Sequence, residues 1–471
     1  MKDPDLARLF ENAFPSTTDT TVKFHTDGKD EYIKKKLLRR REQDAWIDEG
    51  EWEGPQSFII TGDILAEWLR DSTNQLKPYQ ALATKDPAIF NLILGAINTQ
   101  SEYVIQSPYC NAFQPPPMSG LPVSMNGQDD VVHPAYEPSA VFECKYELDS
   151  LAHFLAVANE FHKHTGSKEF MTPRWYKALG QVLSVLEAQS QSTFDPDTGG
   201  YRPNEYTFQR HTNTGTETLS LMGMGNPLNN GTGLVRSAFR PSDDATIFGF
   251  FIPANAQMAV ELGRTAAMLL QSSSSSRGGA SSSAIDAELA QTLDKWSKRI
   301  TEGIREHGVV SHRKYGEVYA YEVDGYGSAL LMDDANYPSL LALPLMGFVG
   351  ADDATYGNTR KMLLEKTGNP YFLTGRQFKG IGGKVSFVSR DIVGLVLTDL
   401  LLLLVGPHIG LQNAWPMSLL VQAQTSEDDD EILECLQLVL QSSKLGLVHE
   451  SINVNFSPSY TRKSSLLCRR M

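Results

Sequence analysis

The sequence has few cysteines and no long apolar run. Its 471 residues include four cysteines, Cys110, Cys144, Cys435 and Cys468. Cysteines this few and this scattered predict neither a disulfide scaffold nor a zinc site. The longest apolar run, around residues 400–405, is well short of the ~20 residues that a membrane-spanning helix needs. We therefore expect no membrane partner and no zinc site. No other metal and no cofactor are expected either.

Positive charge is also scarce. Lys and Arg number 42 against 56 Asp and Glu, which gives a net charge of −14 at pH 7. Nucleic-acid binding needs a basic field that displaces counterions from phosphates. We therefore expect no nucleic-acid partner. The hydrophobic content of 41% and charged content of 21% are typical of a globular protein.

Several motifs of known chemistry are missing. The sequence contains no GxSxG, P-loop, GxGxxG or CxxC pattern, so nothing supports a nucleophilic serine, an NTPase or a dinucleotide enzyme. The first residues lack the apolar core of a signal peptide. The compartment is left open: secretory or extracellular if the N-terminus is truncated, and cytoplasmic otherwise.

Helical periodicity dominates what is present. Apolar residues recur at intervals of three and four in residues 148–158, 175–186, 285–304 and 432–439. Gly166 suits the end of the first helix, and Thr172 with the following proline suits the start of the second. The acidic run 428–430 suits the start of the last.

Strand patterns are rare, and residues 316–324 give the best one, which predicts a hairpin arm. Many helices in one long chain suggest stacked helical hairpins. We predict an all-α fold, a closed (α/α) toroid with long loops and minor β-hairpins, as one domain over residues 1–471. The Ser/Gly-rich segment 271–284 is expected to be a flexible surface loop. The long loops 108–143 and 201–241 are expected to be functional.

The segment 61–79 suits a polyhydroxylated ligand. It contains Trp68, Arg70 and Asp71 at a predicted helix start. Charged groups hold hydroxyls in paired hydrogen bonds, and an indole ring covers the C–H face of a sugar. The alternative is a salt-bridge patch on the surface of an amphipathic helix.

Two further segments carry candidate acids. In residues 237–245, Ser242 or Asp243 is expected to cap a helix, which leaves one of Asp243 and Asp244 free beside Arg240. The alternative is that both acids only interact favourably with the helix dipole and have no other role. Residues 447–451 place His449 next to Glu450 without the HExxH spacing of a zinc protease, so Glu450 is a candidate general base, or else the pair is structural.

The same theme of acids beside polar residues recurs at 142–147 and at 332–336, where Asp334 and Asn336 lie. Scattered carboxylates, arginines and aromatic residues on a helical scaffold point to glycoside hydrolysis. That reaction needs one protonated acid and one ionised partner around an oxocarbenium-like transition state. Residue chemistry alone does not separate mannose from glucose.

Seven segments together resemble glycoside hydrolase family 125, the exo-α-1,6-mannosidases, in its fungal branch. They occur in family order and span most of the chain. They are TGDILAEWLRDS (61–72), FECKYELDS (142–150), SAFRPSDDATIFGFFIPAN (237–255), MDDANYPSLLALP (332–344), NPYFLTGRQFKGIGG (369–383), GLQNAWPMSLLVQAQTS (410–426) and GLVHESINVN (446–455).

The resemblance implies an (α/α)6 barrel that removes terminal α-1,6-linked mannose with inversion, without a catalytic metal. It implies a general acid at Asp243 or Asp244 and a general base at Glu450. Arg70 and Asp71 would grip the hydroxyls of the terminal mannose. Further substrate contacts are expected from Trp68, Arg240, His449, Asp334 and Asn336. The expected partner is a mannose-containing oligosaccharide or mannan.

Two segments depart from the family pattern. Residues 384–405 read as an irregular insert, and residues 463–471 as an atypical tail. The alternative function is therefore a catalytically impaired carbohydrate-binding protein derived from such an enzyme.

Overall fold

The computed structural model describes residues 3–30, 50–275, 280–382, 412–443 and 446–461. The irregular insert 384–405 and the atypical tail 463–471 lie outside the described residues.

Most of the regular structure is helical, as predicted. The helices are α1 (Pro4–Ala13), α2 (Leu69–Leu76), α3 (Pro87–Gln106), α4 (Leu148–Thr165), α5 (Pro173–Gln189), α6 (Ser220–Gly223), α7 (Ile252–Ser275), α8 (Ala280–His307), α9 (Leu343–Met346), α10 (Ala354–Leu363), α11 (Pro416–Gln424) and α12 (Asp429–Ser442). A 3-10 segment, Lys77–Leu82, continues α2. Closure of the helices into a ring stays a prediction.

The strands are short and form small antiparallel sheets. They are β1 (Val22–Thr26), β2 (Gln56–Ile59), β3 (Glu67–Trp68), β4 (Ala112–Phe113), β5 (Asp130–His133), β6 (Val141–Glu143), β7 (Thr207–Arg210), β8 (Phe250–Phe251), β9 (Val309–His312), β10 (Gly316–Tyr319), β11 (Glu322–Val323), β12 (Ala329–Leu330), β13 (Phe372–Thr374), β14 (Lys379–Ile381), β15 (Asn413–Ala414), β16 (Ser451–Asn453) and β17 (Tyr460–Thr461). The alternating segment 316–324 contains β10, which forms a hairpin with β9, so the predicted hairpin arm is confirmed.

Helices α2 and α4 pack side by side and run in the same direction. Arg70 near the start of α2 hydrogen-bonds Asp149 near the start of α4. One turn further along both helices, Asn74 Nδ2 lies 3.1 Å from His153 Nε2. Equal steps along both helices show that their N-terminal ends lie together.

Helix α7 also packs against α4. His153 Nε2 lies 3.2 Å from Gln257 Nε2, and Asn159 Nδ2 donates to Glu261 Oε2 at 2.8 Å. The residue numbers rise together on both helices, so α7 is parallel to α4. The N-terminal ends of α2, α4 and α7 therefore face one end of the molecule, where the candidate site lies.

The predicted helix ends are largely confirmed. Gly166 ends α4 with a φ of 68°. Thr172 caps α5 by accepting a hydrogen bond from the Trp175 amide, with a proline at the first position. Asp428 caps α12 by accepting from two amides in its first turn.

The Ser/Gly-rich segment differs from the expected loop. Helix α7 extends to Ser275 and α8 begins at Ala280, so residues 271–275 and 280–284 are helical. Helices α7 and α8 pack against each other. Once two helices are nucleated and packed, each added residue costs little, and serine lowers helix stability only modestly.

One disulfide joins two of the cysteines, although their spacing predicted no disulfide scaffold. Cys110 and Cys144 are bonded across 34 residues of sequence, and both are buried. Their spacing gave no signal of pairing, because the two residues meet only through the sheet formed by β3, β4 and β6. The disulfide fixes the segment that carries Glu143 and Glu147 to the loop before β4.

Glu67 is a buried carboxylic acid at the start of this sheet. Its Oε2 accepts a hydrogen bond from the Ile59 amide at 2.9 Å. Burial raises the pKa of Glu67 from 4.5 to about 8, although that hydrogen bond opposes the shift.

We predict that Glu67→Gln changes the pH dependence of stability. Between pH 4.5 and 8 the folded protein holds a proton on Glu67 that the unfolded chain has released, so this group makes stability fall as pH rises. Glutamine cannot lose that proton. The melting temperature of the variant should therefore rise relative to wild type from pH 5 to pH 8, equivalent to at most ~1.4 kcal/mol per pH unit. The control is Glu317→Gln at an exposed position, whose melting temperature should change with pH as that of wild type does. If the melting temperature of Glu67→Gln also follows wild type across this pH range, the prediction is contradicted.

Candidate active site

The segment 61–79 starts a helix, as predicted, and its polar residues lie at the helix start. Trp68 is the last residue of β3 and pairs with Ala112, and α2 begins at the next residue. The indole packs edge-on against the ring of Phe142, with centroids 5.5 Å apart. Asp71 is buried, and its Oδ2 lies 3.5 Å from Thr61 Oγ1.

Arg70 is not a surface residue. Its Nη1 donates to Glu147 Oε2 and, at 3.1 Å, to Asp149 Oδ2, and all three side chains are buried. The alternative of a surface salt-bridge patch is therefore wrong for Arg70. Burial raises the pKa of both carboxyl groups, that of Asp149 to about 6, while the guanidinium opposes the shift.

Asp243 faces this charged cluster. Its Oδ1 lies 3.8 Å from Lys145 Nζ, and the same ammonium lies 3.3 Å from Glu143 Oε1. Burial raises the pKa of Asp243, Lys145 opposes the shift, and the charge of Glu143 adds to it. Arg70 also acts electrostatically on this carboxyl group.

The segment 237–245 does not start a helix, so the predicted capping role of Ser242 or Asp243 is wrong. Residues 239 and 245 form an isolated bridge, and the chain reverses between them. The Arg240 amide donates to the Asp244 carbonyl at 2.8 Å, and the Asp243 amide donates to the Arg240 carbonyl at 3.0 Å. Asp243 has a φ of 65°, a left-handed conformation that aspartate tolerates better than most residues. The next helix, α7, begins only at Ile252.

This turn separates the two neighbouring acids. The side chain of Asp243 is 30% exposed although charged groups surround it, so it lies in a recess open to solvent. Asp244 is only 1% exposed. Ser242 Oγ lies 3.4 Å from Asp244 Oδ2. Of the two acids, Asp243 is the one that a ligand in solvent can reach.

Arg240 holds a second buried network on the other side of the turn. Its Nε donates to Glu322 Oε1 at 2.5 Å, and its guanidinium lies over the ring of Tyr321. The Tyr321 hydroxyl donates to Asp334 Oδ2 at 2.8 Å. Glu322 Oε2 also accepts the amides of residues 247 and 248, which fixes the loop after the turn.

Asp334 and Asn336 form one compact loop. Asp334 Oδ1 accepts a hydrogen bond from the Asn336 amide at 2.8 Å. The Nδ2 of Asn336 is buried and has no hydrogen-bond partner among the described residues. An amide donor left without an acceptor in this position suits contact with a ligand oxygen.

His449 and Glu450 are buried immediately before β16. The His449 ring stacks on the Tyr460 ring with centroids 3.7 Å apart. Strand β16 pairs with β15, and the Trp415 amide after β15 donates to the Ile381 carbonyl. Gly382 follows Ile381 at the end of β14, and its carbonyl oxygen accepts a hydrogen bond from the Ala335 amide at 3.2 Å. A continuous run of backbone hydrogen bonds therefore connects the Glu450 segment with the Asp334 loop.

The structure thus brings several of the sequence candidates into two adjoining networks, with the turn 240–244 between them. Arg70 and Asp243 interact in the first, and Arg240 and Asp334 in the second. Sequence reasoning singled out segment 142–147 but did not assign its residues to the site. It missed four buried charged residues, Glu147, Asp149, Lys145 and Glu322. Their only signal was acids placed beside aromatic or basic residues at element boundaries.

No described cluster of three or more His, Cys, Asp or Glu side chains is arranged to hold a metal ion. In the ranges that the structure covers, no helix is long and apolar enough to cross a membrane.

Comparison with known proteins gives a consistent result. The sequence matches the family model of the metal-independent α-mannosidases, GH125, over residues 3–390 and 402–465. The unmatched residues 391–401 fall within the segment predicted to be an insert. Meiotically up-regulated gene 157 protein of Schizosaccharomyces pombe is 49% identical over 463 residues, which cover 98% of this chain and 80% of that protein.

A solved structure from Streptococcus pneumoniae superimposes with a TM-score of 0.76 at 28% sequence identity. The alignment covers 99% of this chain and 92% of that chain. That structure is described as a metal-independent α-mannosidase in a non-productive substrate complex with α-1,6-mannobiose. By its family match and by its close relative, this chain belongs to the GH125 family of metal-independent α-mannosidases.

Proposed function

We propose that this protein removes terminal α-1,6-linked mannose from a mannose-containing oligosaccharide or mannan, with inversion at the anomeric carbon. Asp243 acts as the general acid and Glu450 as the general base. The observation that carries the proposal is the recess at Asp243, where a carboxyl group with a raised pKa is open to solvent among buried charges.

The assignment of the acid rests on what protonation of a leaving group requires. A general acid must hold its proton near neutral pH and must reach the substrate. Burial raises the pKa of Asp243, which is the direction this role needs, and its side chain is 30% exposed, so a substrate can reach it. Asp244 is buried against Ser242 and near Arg240, so we assign it to the support of the turn.

The assignment of Glu450 as the base rests on the family resemblance and on the place of its segment beside the Asp334 loop. An inverting enzyme needs a water molecule between base and sugar. The two catalytic carboxyl groups are then expected about 6.5–9.5 Å apart. That separation between Asp243 and Glu450 stays a prediction.

Recognition of the sugar falls to the two buried networks. Arg70 and Asp71 lie next to the recess, and Asn336 contributes an amide donor without a partner among the described residues. Arg240 and Asp334 position the opposite side, and Trp68 and His449 contribute ring surfaces. The mannobiose complex of the S. pneumoniae protein supports mannose as the sugar.

We predict that the purified protein releases mannose from α-1,6-mannobiose and that the first product is β-mannose. Inversion of an α-linkage gives the β anomer, which ¹H NMR detects before mutarotation. α-1,2- and α-1,3-mannobiose should react at least tenfold more slowly. Release of α-mannose first contradicts the inverting mechanism. Tight binding of mannobiose without any release favours the alternative of a catalytically impaired binding protein.

We predict that two variants separate the acid from the base. Asp243→Asn should lower kcat/KM on mannobiose by ~10²–10⁴ because the leaving oxygen is no longer protonated. The same variant should keep most of its activity on α-mannosyl fluoride, because fluoride leaves without a proton. Glu450→Gln should lose activity on both substrates, because no base activates the water.

Asp244→Asn is the matched control at the neighbouring position. It should affect both substrates alike through the turn. If Asp244→Asn, and not Asp243→Asn, retains activity only on the fluoride, the two acids are assigned the wrong way round.

We also propose that the protein works in an oxidising compartment of the secretory route, since disulfides persist there and are rare in the cytosol. The bonded pair Cys110–Cys144 supports this. Non-reducing peptide mapping of protein isolated from its native cells should yield a peptide linking the two cysteines. Recovery of both as alkylated free thiols contradicts the proposal.

A further inference from the structure

A second cavity lies outside the two networks of the candidate active site. Its volume is about 380 Å³, which is enough for one small polar group or a monosaccharide substituent. Loops that follow α5 form most of its wall. The residues that line it include Thr193, Tyr201, Asn204, Glu205, Met224 and Arg236.

Arg236 lines this cavity and has no acidic partner among the described residues. Its residue surface is only 6% exposed. Nε has no hydrogen-bond partner in the described part of the chain, and the bonds to the Met224 carbonyl and to Thr193 Oγ1 are long, at 3.4 and 3.5 Å. Three other buried arginines, Arg70, Arg210 and Arg240, each contact a carboxylate.

Leaving a buried guanidinium without an anion is costly. The cost is visible in the pKa of Arg236, which burial lowers to about 10. If Arg236 had only a structural role, we would expect a carboxylate to pair with its guanidinium, as at Arg70 and Arg240. An unpaired charge beside an open cavity instead suits an anion that arrives from solution.

A second residue of the cavity wall carries a donor without a partner in the ranges that the structure covers. The Nδ2 of Asn204 is buried and has no hydrogen-bond partner among the described residues. The one carboxylate in the wall, Glu205, forms no ion pair with Arg236 within 4.0 Å. The neighbouring cation Arg202 is already paired with Asp195. Among the described residues of the cavity wall, the two buried side-chain atoms without a hydrogen-bond partner, Asn204 Nδ2 and Arg236 Nε, are therefore both donors.

We propose that this cavity binds a phosphate group, either free or carried as a phosphomonoester on a sugar. A guanidinium fork binds phosphate in a bidentate manner, and phosphate offers more acceptor oxygens than a carboxylate for the additional donor of Asn204. Arg236 lies seven residues before Asp243 on the same segment, and the amide two residues after it donates to the Tyr146 carbonyl, next to Glu147. The phosphate site therefore borders the candidate active site, but it does not depend on the proposed mannosidase activity.

The test is to titrate the protein with inorganic phosphate, mannose 6-phosphate and mannose in separate experiments. Isothermal titration calorimetry measures binding, and the melting temperature measures stabilisation. Phosphate should bind at one site and raise the melting temperature, and mannose at the same concentrations should do neither at this site. Mannose 6-phosphate binding at least tenfold more tightly than phosphate identifies a sugar-borne group; equal affinities identify free phosphate. No saturable binding of either phosphate compound overturns the proposal.

Arg236→Met should weaken phosphate binding at least tenfold, and Asn204→Leu, which keeps the size of the side chain, should weaken it severalfold. The matched control is Arg299→Met, because Arg299 lies over Trp296 on α8 and does not line the cavity. It should bind phosphate like wild type. If Arg236→Met does not fold, the Asn204→Leu variant decides. Unchanged phosphate affinity in that variant, or an equal loss in the Arg299 control, overturns the proposal.

Discussion

The candidate site depends on one buried cation, the guanidinium of Arg70. It holds Glu147 and Asp149 together at the point where α2 and α4 begin, and all three side chains are buried, so bulk solvent screens these charges little. Removing one partner of a buried ion pair typically costs about 3–5 kcal/mol, because the other charge is left uncompensated. Arg70 therefore fixes the relative position of two helices and, through its charge, the electrostatic environment of Asp243.

The turn 240–244 places two neighbouring acids in different surroundings. A left-handed aspartate directs one carboxyl group into the solvent-open recess and leaves its neighbour buried against the second network. Two chemically identical side chains thereby differ in exposure because of their surroundings alone. The Cys110–Cys144 disulfide and the Glu322 hydrogen bonds hold the two flanks of the turn.

Local signals in the sequence predicted the local structure. Gly166, Thr172 and Asp428 mark helix ends because capping involves residues only a few positions apart. Contacts over long separations were not predictable in this way. Arg70 meets Glu147 across 77 residues, and Arg240 meets Glu322 across 82. No spacing rule reaches that far, so only the family resemblance placed these segments in one site.

The common orientation of α2, α4 and α7 has a consequence for how many acids the site can hold. Each helix carries a partial positive charge of about half a unit at its N-terminal end, from amides that no carbonyl of the same helix accepts. The ends of α2 and α4 meet where Asp71, Glu147 and Asp149 lie, and α7 runs parallel beside α4. The helix dipoles offset part of the repulsion among these carboxylates, so the backbone itself supplies a share of the countercharge that the side chains lack.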